Sequence, residues 1–153
     1  DSNGIFLRSL NREGISVNIS DPAVRSLKSR TMEVVKADVE RLPFKSGTIS
    51  TVVLFETLEH VPNPILLLSE IERICSSSVI LSIPYVSRTH IHPFNYDPAL
   101  PLFQHHIFEF SPHDFKKIVS HAGFTIQSER IATVLGIHNT LLESLVFSSG
   151  KDS

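Results

Sequence analysis

Residues 51–83 read Thr51-Val52-Val53-Leu54-Phe55-Glu56-Thr57-Leu58-Glu59-His60-Val61-Pro62-Asn63-Pro64, then Ile65-Leu66-Leu67-Leu68-Ser69-Glu70-Ile71-Glu72-Arg73-Ile74-Cys75, then Ser76-Ser77-Ser78-Val79-Ile80-Leu81-Ser82-Ile83. The nearly continuous apolar run 51–55 predicts a strand buried on both faces of a parallel sheet. Residues 65–75 place apolar side chains at 65, 66, 67, 68, 71, 74 and 75 and charges at 70, 72 and 73, the pattern of an amphipathic helix. The stripe Leu66, Leu67, Ile71 and Ile74 is assigned to its core face, and Cys75 to a buried position at its end. Ser76-Ser77-Ser78 reads as a short turn into a second buried strand, 79–83, stopped by Pro84. Strand, helix and strand in that order make a crossover unit, which in a sheet is parallel.

The same alternation extends in both directions. Ile15 to Ile19 alternates with period two and predicts a strand. Ser20-Asp21-Pro22 supplies a cap and a first-turn proline for a short helix over about 22–29. Met32 to Ala37 is a second strand ending at Asp38, and 38–50 is read as loop. Ser111-Pro112-His113-Asp114 starts a helix that runs to His121 and is closed by Ala122-Gly123. Strands follow over 124–132 and 141–148. Between them, 85–110 has no clear period and holds four of the eight histidines, so it is expected to be a long ordered loop or lid. At the other end, Asp1-Ser2-Asn3-Gly4 runs straight into the helical pattern 5–10, ended near Gly14, with no strand before it. The prediction is one α/β domain over 1–153 with a mostly parallel sheet and an antiparallel last strand.

Composition narrows the function. The chain has 153 residues, 41% hydrophobic and 20% charged, enough for one substantial core. Fourteen Lys and Arg against 16 Asp and Glu leave a net charge of −2, which argues against a general nucleic-acid coat. No apolar run is long enough to span a bilayer. The single cysteine, Cys75, excludes an internal disulfide framework and a multi-cysteine metal site. A cytoplasmic location is the resulting expectation.

In open α/β sheets ligands bind outside the carboxyl ends of the strands. Four such ends are legible: Asp1–Gly4, Asn18–Ser20, Asp38–Val39 and Phe55–His60. Gly4 permits close approach of backbone to a ligand, Asn18 offers a carboxamide to a hydroxyl, and Asp38 offers a carboxylate to an amine. Taken singly, a glycine-led helix or an aspartate after a strand also reads as capping.

Two segments carry a resemblance. Asp38-Val39-Glu40-Arg41-Leu42-Pro43-Phe44 and Leu58-Glu59-His60-Val61-Pro62-Asn63-Pro64 are similar, in sequence and separation, to class I S-adenosylmethionine-dependent methyltransferases, above all those of the ubiquinone and menaquinone pathways. Phe108-Glu109-Phe110-Ser111 leading to Ala122-Gly123-Phe124 resembles that family's late helix. The resemblance implies a Rossmann-like three-layer sandwich, with S-adenosylmethionine as cofactor, S-adenosylhomocysteine as product and a small-molecule acceptor. It places Ser2, Asn3 and Gly4 in the tail of the glycine-rich first motif, Asn18 at the ribose and Asp38 at the adenine amine. It places the Val39 N–H at a ring nitrogen, and Phe55 and Glu56 along the adenosyl and methionine part. Departures from the pattern are Ser2 for a glycine, Asn18 for an acid, and a first strand with its leading glycine that the sequence does not show. The apolar edges of a sheet lacking its central strand predict dimerisation or exchange of elements.

Methyl transfer needs a base only where the acceptor must lose a proton. The candidates are His60 and the loop histidines His90, His92, His105 and His106, with His106 and His60 taken as catalytic. Glu56, Glu59 and His60 stand at i, i+3 and i+4, one face if that segment is helical, and His90, His92, His105 and His106 form a second histidine-rich set. Neither has the fixed ligand pattern of an established metal motif, and no metal is expected from the sequence. Tyr85, Phe94, Tyr96 and Phe103 either line an acceptor pocket or anchor the loop. The alternative to an enzyme is a non-catalytic methyltransferase-like domain that acts through protein or ligand binding. A dehydrogenase-like nucleotide fold would require a G-x-G-x-x-G turn after a first strand, which is absent.

Overall fold

The structure is a computed structural model that describes residues 7–8, 13–30, 32–93, 97, 99–100, 105–134 and 140–149, with only the backbone for 132–134 and 140–149. Ser2, Asn3 and Gly4, most of the helix expected over 5–10, and Phe94, Tyr96 and Phe103 lie outside the described residues. The chain divides into two compact units, Asp1–Pro43 and Phe44–Ser153.

In the first unit, β1 (Ser16–Asn18) pairs in parallel with β2 (Val34–Lys36), in the register Ser16 to Val34 and Asn18 to Lys36. The crossover between them is α1 (Asp21–Lys28), with Pro22 in its first turn and Val24 and Leu27 buried. Asp21 at the helix start is paired with Lys36 on β2, 2.7 Å away. Both side chains are more than half exposed, so this pair contributes little. The buried helix face holds the unit together.

The second unit is built on a four-stranded sheet in the order β3-β4-β8-β7. β3 (Ile49–Phe55) lies parallel to β4 (Cys75–Pro84), joined by a crossover that contains α2 (Pro64–Ile74). β7 (Phe124–Val134) and β8 (Thr140–Ser149) form an antiparallel pair, and β8 runs antiparallel to β4 from Ser78–Ser148 to Pro84–Leu142. β4 is thus paired on both sides, and Val79, Leu81, Ser82 and Ile83 are all buried. α3 (Pro112–His121) precedes β7 and buries Phe115 and Val119 completely. With Leu67, Leu68, Ile71 and Phe124, these side chains make the core.

Three expectations are corrected. Ser76–Ser78 is strand and not turn: α2 stops at Ile74, and Cys75 already has extended dihedrals (φ −79°, ψ 136°). The serines are accommodated by polar partners on β3. Ser76 Oγ donates to the Ile49 carbonyl at 3.3 Å, and Ser78 Oγ lies 3.4 Å from Thr51 Oγ1. Second, Leu66 is 40% exposed, and Leu68 takes its place on the buried face of α2 beside Leu67 and Ile71. Third, 85–110 is not loop throughout: β5 (His90–Ile91) and β6 (Phe108–Glu109) pair antiparallel. Among the described residues no helix is long and apolar enough to cross a membrane.

Candidate functional site

The first unit brings Asn18 and Asp38 to the same end of its sheet. Parallel pairing puts both strand termini on one edge, and the Ala37 N–H donates to the Asn18 carbonyl at 3.2 Å, carrying the register one step past the strands. Each side chain is then fixed by the turn that follows it. Asn18 Oδ1 accepts from the Ser20 N–H at 2.9 Å, and Asp38 Oδ1 accepts from the Glu40 N–H at 3.0 Å. These are Asx turns, which orient each side chain at its strand end through Oδ1 and leave the Asn18 amide nitrogen and the second Asp38 oxygen to meet a ligand. Asp38 is exposed; Asn18 and Val39 are half-buried. A carboxamide and a carboxylate held side by side at the end of two parallel strands suit the hydroxyls and exocyclic amine of a nucleoside.

In the second unit the end of β3 is strained. Glu56 has φ +44°, a region a non-glycine residue enters at a cost of about 1–3 kcal/mol. β4 holds it there: the Glu56 N–H donates to the Ser82 carbonyl at 3.2 Å, and Ser82 Oγ donates to Glu56 Oε1 at 2.8 Å. The chain then bends into a single 3-10 turn, Leu58–His60. There the Thr57 hydroxyl donates to the Phe55 carbonyl and the His60 N–H to the Thr57 carbonyl. Asn63 Oδ1 accepts from the Leu66 N–H and starts α2.

That turn buries Glu59, which is 1% exposed and has neither carboxylate oxygen hydrogen-bonded. The Glu59 carbonyl accepts from the Ile107 N–H at 2.7 Å, and this backbone bond delivers the neighbouring His106 to the turn. The rings of His60 and His106 meet edge to face with centroids 4.8 Å apart. Glu59, His60 and His106 offer three ligand atoms, all within 4.8 Å of one another. Behind His106, Glu109 accepts from His106 Nδ1 at 3.4 Å and is paired with His92 Nε2 at 3.1 Å.

Burial sets the protonation of this group. It pushes the Glu59 carboxyl up to about 8, with the Glu56 charge adding to the rise. It also raises the Glu56 carboxyl, against the Ser82 hydrogen bond. His60 is lowered by burial and by the proximity of His106. At Glu109 burial acts upward, but hydrogen bonds from His92 and His106 outweigh it and hold the carboxyl below its ordinary value.

The two histidines taken as catalytic, His106 and His60, are therefore brought together. The expected face of Glu56, Glu59 and His60 forms otherwise: Glu56 turns to Ser82, and His106 joins the other two. His90 lies near His92, ring centroids 6.0 Å apart, and His105 is buried with Nε2 2.9 Å from the Asp97 carbonyl. Sequence reasoning missed Ser82 and Glu109. A lone serine in the apolar run 79–83 is the signal for the first; nothing in the spacing marks the second.

A family model described as a methyltransferase domain matches residues 2–129. Two Mycobacterium tuberculosis proteins, MT3114 of strain CDC 1551 / Oshkosh and Rv3030 of strain H37Rv, are 26% identical over 115 residues. Each is named a probable S-adenosylmethionine-dependent methyltransferase; the match covers 74% of this chain and 41% of theirs. The chain thus spans about two-fifths of the length of these relatives. A SAM-dependent methyltransferase from Methanosarcina mazei superposes with a TM-score of 0.75 at 12% identity, over 95% of this chain and 86% of that one. The 1,6-didemethyltoxoflavin-N1-methyltransferase of Burkholderia thailandensis, solved with its substrate and S-adenosylhomocysteine, gives 0.74 at 12%, over 95% and 64%. These likenesses establish the Rossmann-like methyltransferase fold. Because the model matches residues 2–129 of the 153, the chain belongs to the methyltransferase-domain family.

Proposed function

We propose that this chain is an S-adenosylmethionine-dependent methyltransferase acting on a small-molecule acceptor. The observation that carries the reading is the placement of Asn18 and Asp38 at the shared carboxyl end of β1 and β2, each oriented by an Asx turn. The names of the Mycobacterium tuberculosis relatives and the ligands bound in the Burkholderia thailandensis structure support it.

When bound, S-adenosylmethionine supplies an electrophilic methyl group on a sulfonium. Asn18 holds the ribose, Asp38 accepts a hydrogen bond from the adenine amine, and the Val39 N–H faces a ring nitrogen. Ser2, Asn3 and Gly4 are assigned to the cofactor by the resemblance, as are Phe55 and Glu56. The acceptor's proton, where one must leave, is handled at His60 and His106. An Nδ1–H held by Glu109 leaves His106 Nε2 with a free lone pair.

Calorimetric titration of S-adenosylhomocysteine tests the reading. The chain should bind it, and Asp38→Ala should weaken binding about 10- to 100-fold, the worth of one hydrogen bond to a charged group. Absence of binding, or equal binding by the variant, overturns the assignment.

A further inference from the structure

We infer that Glu59, His60 and His106 form a binding site for a primary ammonium group, and that the acceptor is a primary amine held there. The role of that amine as acceptor rests on the methyl-transfer reading; the ammonium site does not.

The first ground is a count of donors and acceptors. Both Glu59 oxygens are buried without a hydrogen-bond partner, a costly arrangement that persists in native proteins where a bound group compensates it. In the empty site burial keeps a proton on this carboxyl, and an ammonium beside it supplies the counter-charge that restores the ionised form. His60 Nδ1 lies 3.4 Å from the His105 carbonyl oxygen, which can only accept, so Nδ1 carries the hydrogen. His106 Nδ1 likewise donates to Glu109. Both rings therefore present a bare Nε2, and that of His60 is 3.9 Å from Glu59 Oε1, too far for a hydrogen bond. Once Glu59 is ionised, three acceptors converge. A water brings them two hydrogens and a hydroxyl one, whereas a primary ammonium brings three, with a charge for the carboxylate.

The second ground is distance. One polar atom from each of the three residues lies within 4.8 Å of the other two. Acceptors placed around a tetrahedral ammonium, each at about 2.8 Å, stand about 4.6 Å apart, so the set admits the nitrogen with shifts under about an ångström. The third ground is access. The side chains of His60 and His106 are 33% and 14% exposed and that of Glu59 1%, so the carboxylate is the floor of the site and the rings are its rim.

On the methyl-transfer reading, one proton of the ammonium passes to His106 Nε2. The Nδ1–H of that ring, held by Glu109, steadies the imidazolium, and Glu109 is itself paired with His92. The freed electron pair of the nitrogen forms the N–CH3 bond as the S–CH3 bond breaks, and the pair from the broken bond stays on sulfur. The products are the N-methylammonium and neutral S-adenosylhomocysteine, with the displaced proton on His106.

The test compares benzylamine with benzyl alcohol, which share a shape and differ in the polar group. Binding is measured by calorimetry on the whole chain at neutral pH, in EDTA so that no metal ion competes for the three residues. The amine should bind with a Kd of about a millimolar, the scale expected of so small a ligand, and at least about tenfold more tightly than the alcohol. Glu59→Gln, isosteric and uncharged, should erase that preference, and His106→Ala should reduce it severalfold. His90→Ala, on the exposed strand β5, should leave it unchanged. Circular dichroism identifies any variant that fails to fold, and half-buried His106 is the safer of the two positions. Given S-adenosylmethionine, the wild type should methylate benzylamine and not the alcohol, read by mass spectrometry. Absence of amine binding, equal binding of amine and alcohol, or a preference kept by folded Glu59→Gln overturns the site. An amine that binds but is not methylated, in protein that binds S-adenosylhomocysteine, overturns its role as acceptor. Failure to bind S-adenosylhomocysteine counts against the methyl-transfer reading alone, so the two fail separately.

Discussion

Gly123 shows how one residue decides where an element stops. It follows the C-cap of α3 with φ +92°, and its N–H donates to the Ser120 carbonyl at 3.1 Å. Glycine adopts this left-handed conformation freely, and a side chain does not. A Cβ there would meet Glu72 Cγ at 3.7 Å, an ordinary contact, so the penalty is backbone strain alone. Gly123→Ala should therefore destabilise the second unit by about 1 kcal/mol, read as a lower midpoint in urea with unchanged slope. Glu56 poses the opposite problem, a non-glycine at φ +44° that no sequence pattern announces. Its conformation is imposed by two hydrogen bonds to Ser82 on a neighbouring strand, and pairing of that kind is invisible to a reading that looks only at nearby residues. The same limit explains the histidines. Glu59 and His60 are adjacent and could be singled out together, whereas His106 joins them only through the backbone bond from Ile107 to Glu59.

At the scale of elements, periodicity located the described helices and the longer strands, because burial of one face leaves a mark on the sequence. It missed the two-residue strands β5 and β6, which are too short to show a period, and it failed at Ser76–Ser78, where three polar residues extend β4 by finding partners on β3. The start of α3 was legible for a different reason: Ser111-Pro112-His113-Asp114 is a local capping motif. The structure adds a partner from outside the helix. Thr89 Oγ1 donates to Asp114 Oδ2 at 2.6 Å and accepts from the Ser111 N–H at 3.0 Å. Ser111 Oγ donates to Asp114 Oδ2 at 3.1 Å, and Lys117 stands 3.6 Å from Oδ1. The Thr89 and Ser111 hydrogen bonds hold the Asp114 carboxyl below 3.8, with Lys117 and His113 adding to the effect. A depressed carboxyl contributes stability that is present above its unfolded value and lost as the pH falls through its folded one. Asp114→Asn should therefore lower the melting temperature at pH 7, and the gap to the wild type should close as the pH falls below 3.8. A gap that stayed constant across that range would mean that the carboxylate charge contributes nothing.

Across the whole molecule, the two units differ in how their backbones are protected. β4 is hydrogen-bonded on both sides, to β3 and to β8, and its residues Val79, Leu81 and Ile83 are at most 1% exposed. Among the described residues β1 and β2, of three residues each, pair with each other alone, and a two-stranded arrangement is marginal. Local opening free energies track such differences, so amides of Ser16–Asn18 and Val34–Lys36 should exchange with deuterium about tenfold or more faster than those of Val79–Ile83. A ligand that binds only the closed form adds its binding free energy to that opening cost. Since Asn18 and Asp38 sit at the end of the weaker sheet, S-adenosylhomocysteine at a hundred times its Kd should slow exchange there by about two orders of magnitude. The amides of β4, already limited by unfolding of the larger sheet, should change far less. Slowing at β4 with none at β1 and β2 would move the nucleoside away from Asn18 and Asp38. With Asp38→Ala at the same ligand concentration the slowing at β1 and β2 should fall to between about twofold and tenfold, because the 10- to 100-fold loss of affinity shrinks the mass-action term while leaving the strands themselves intact.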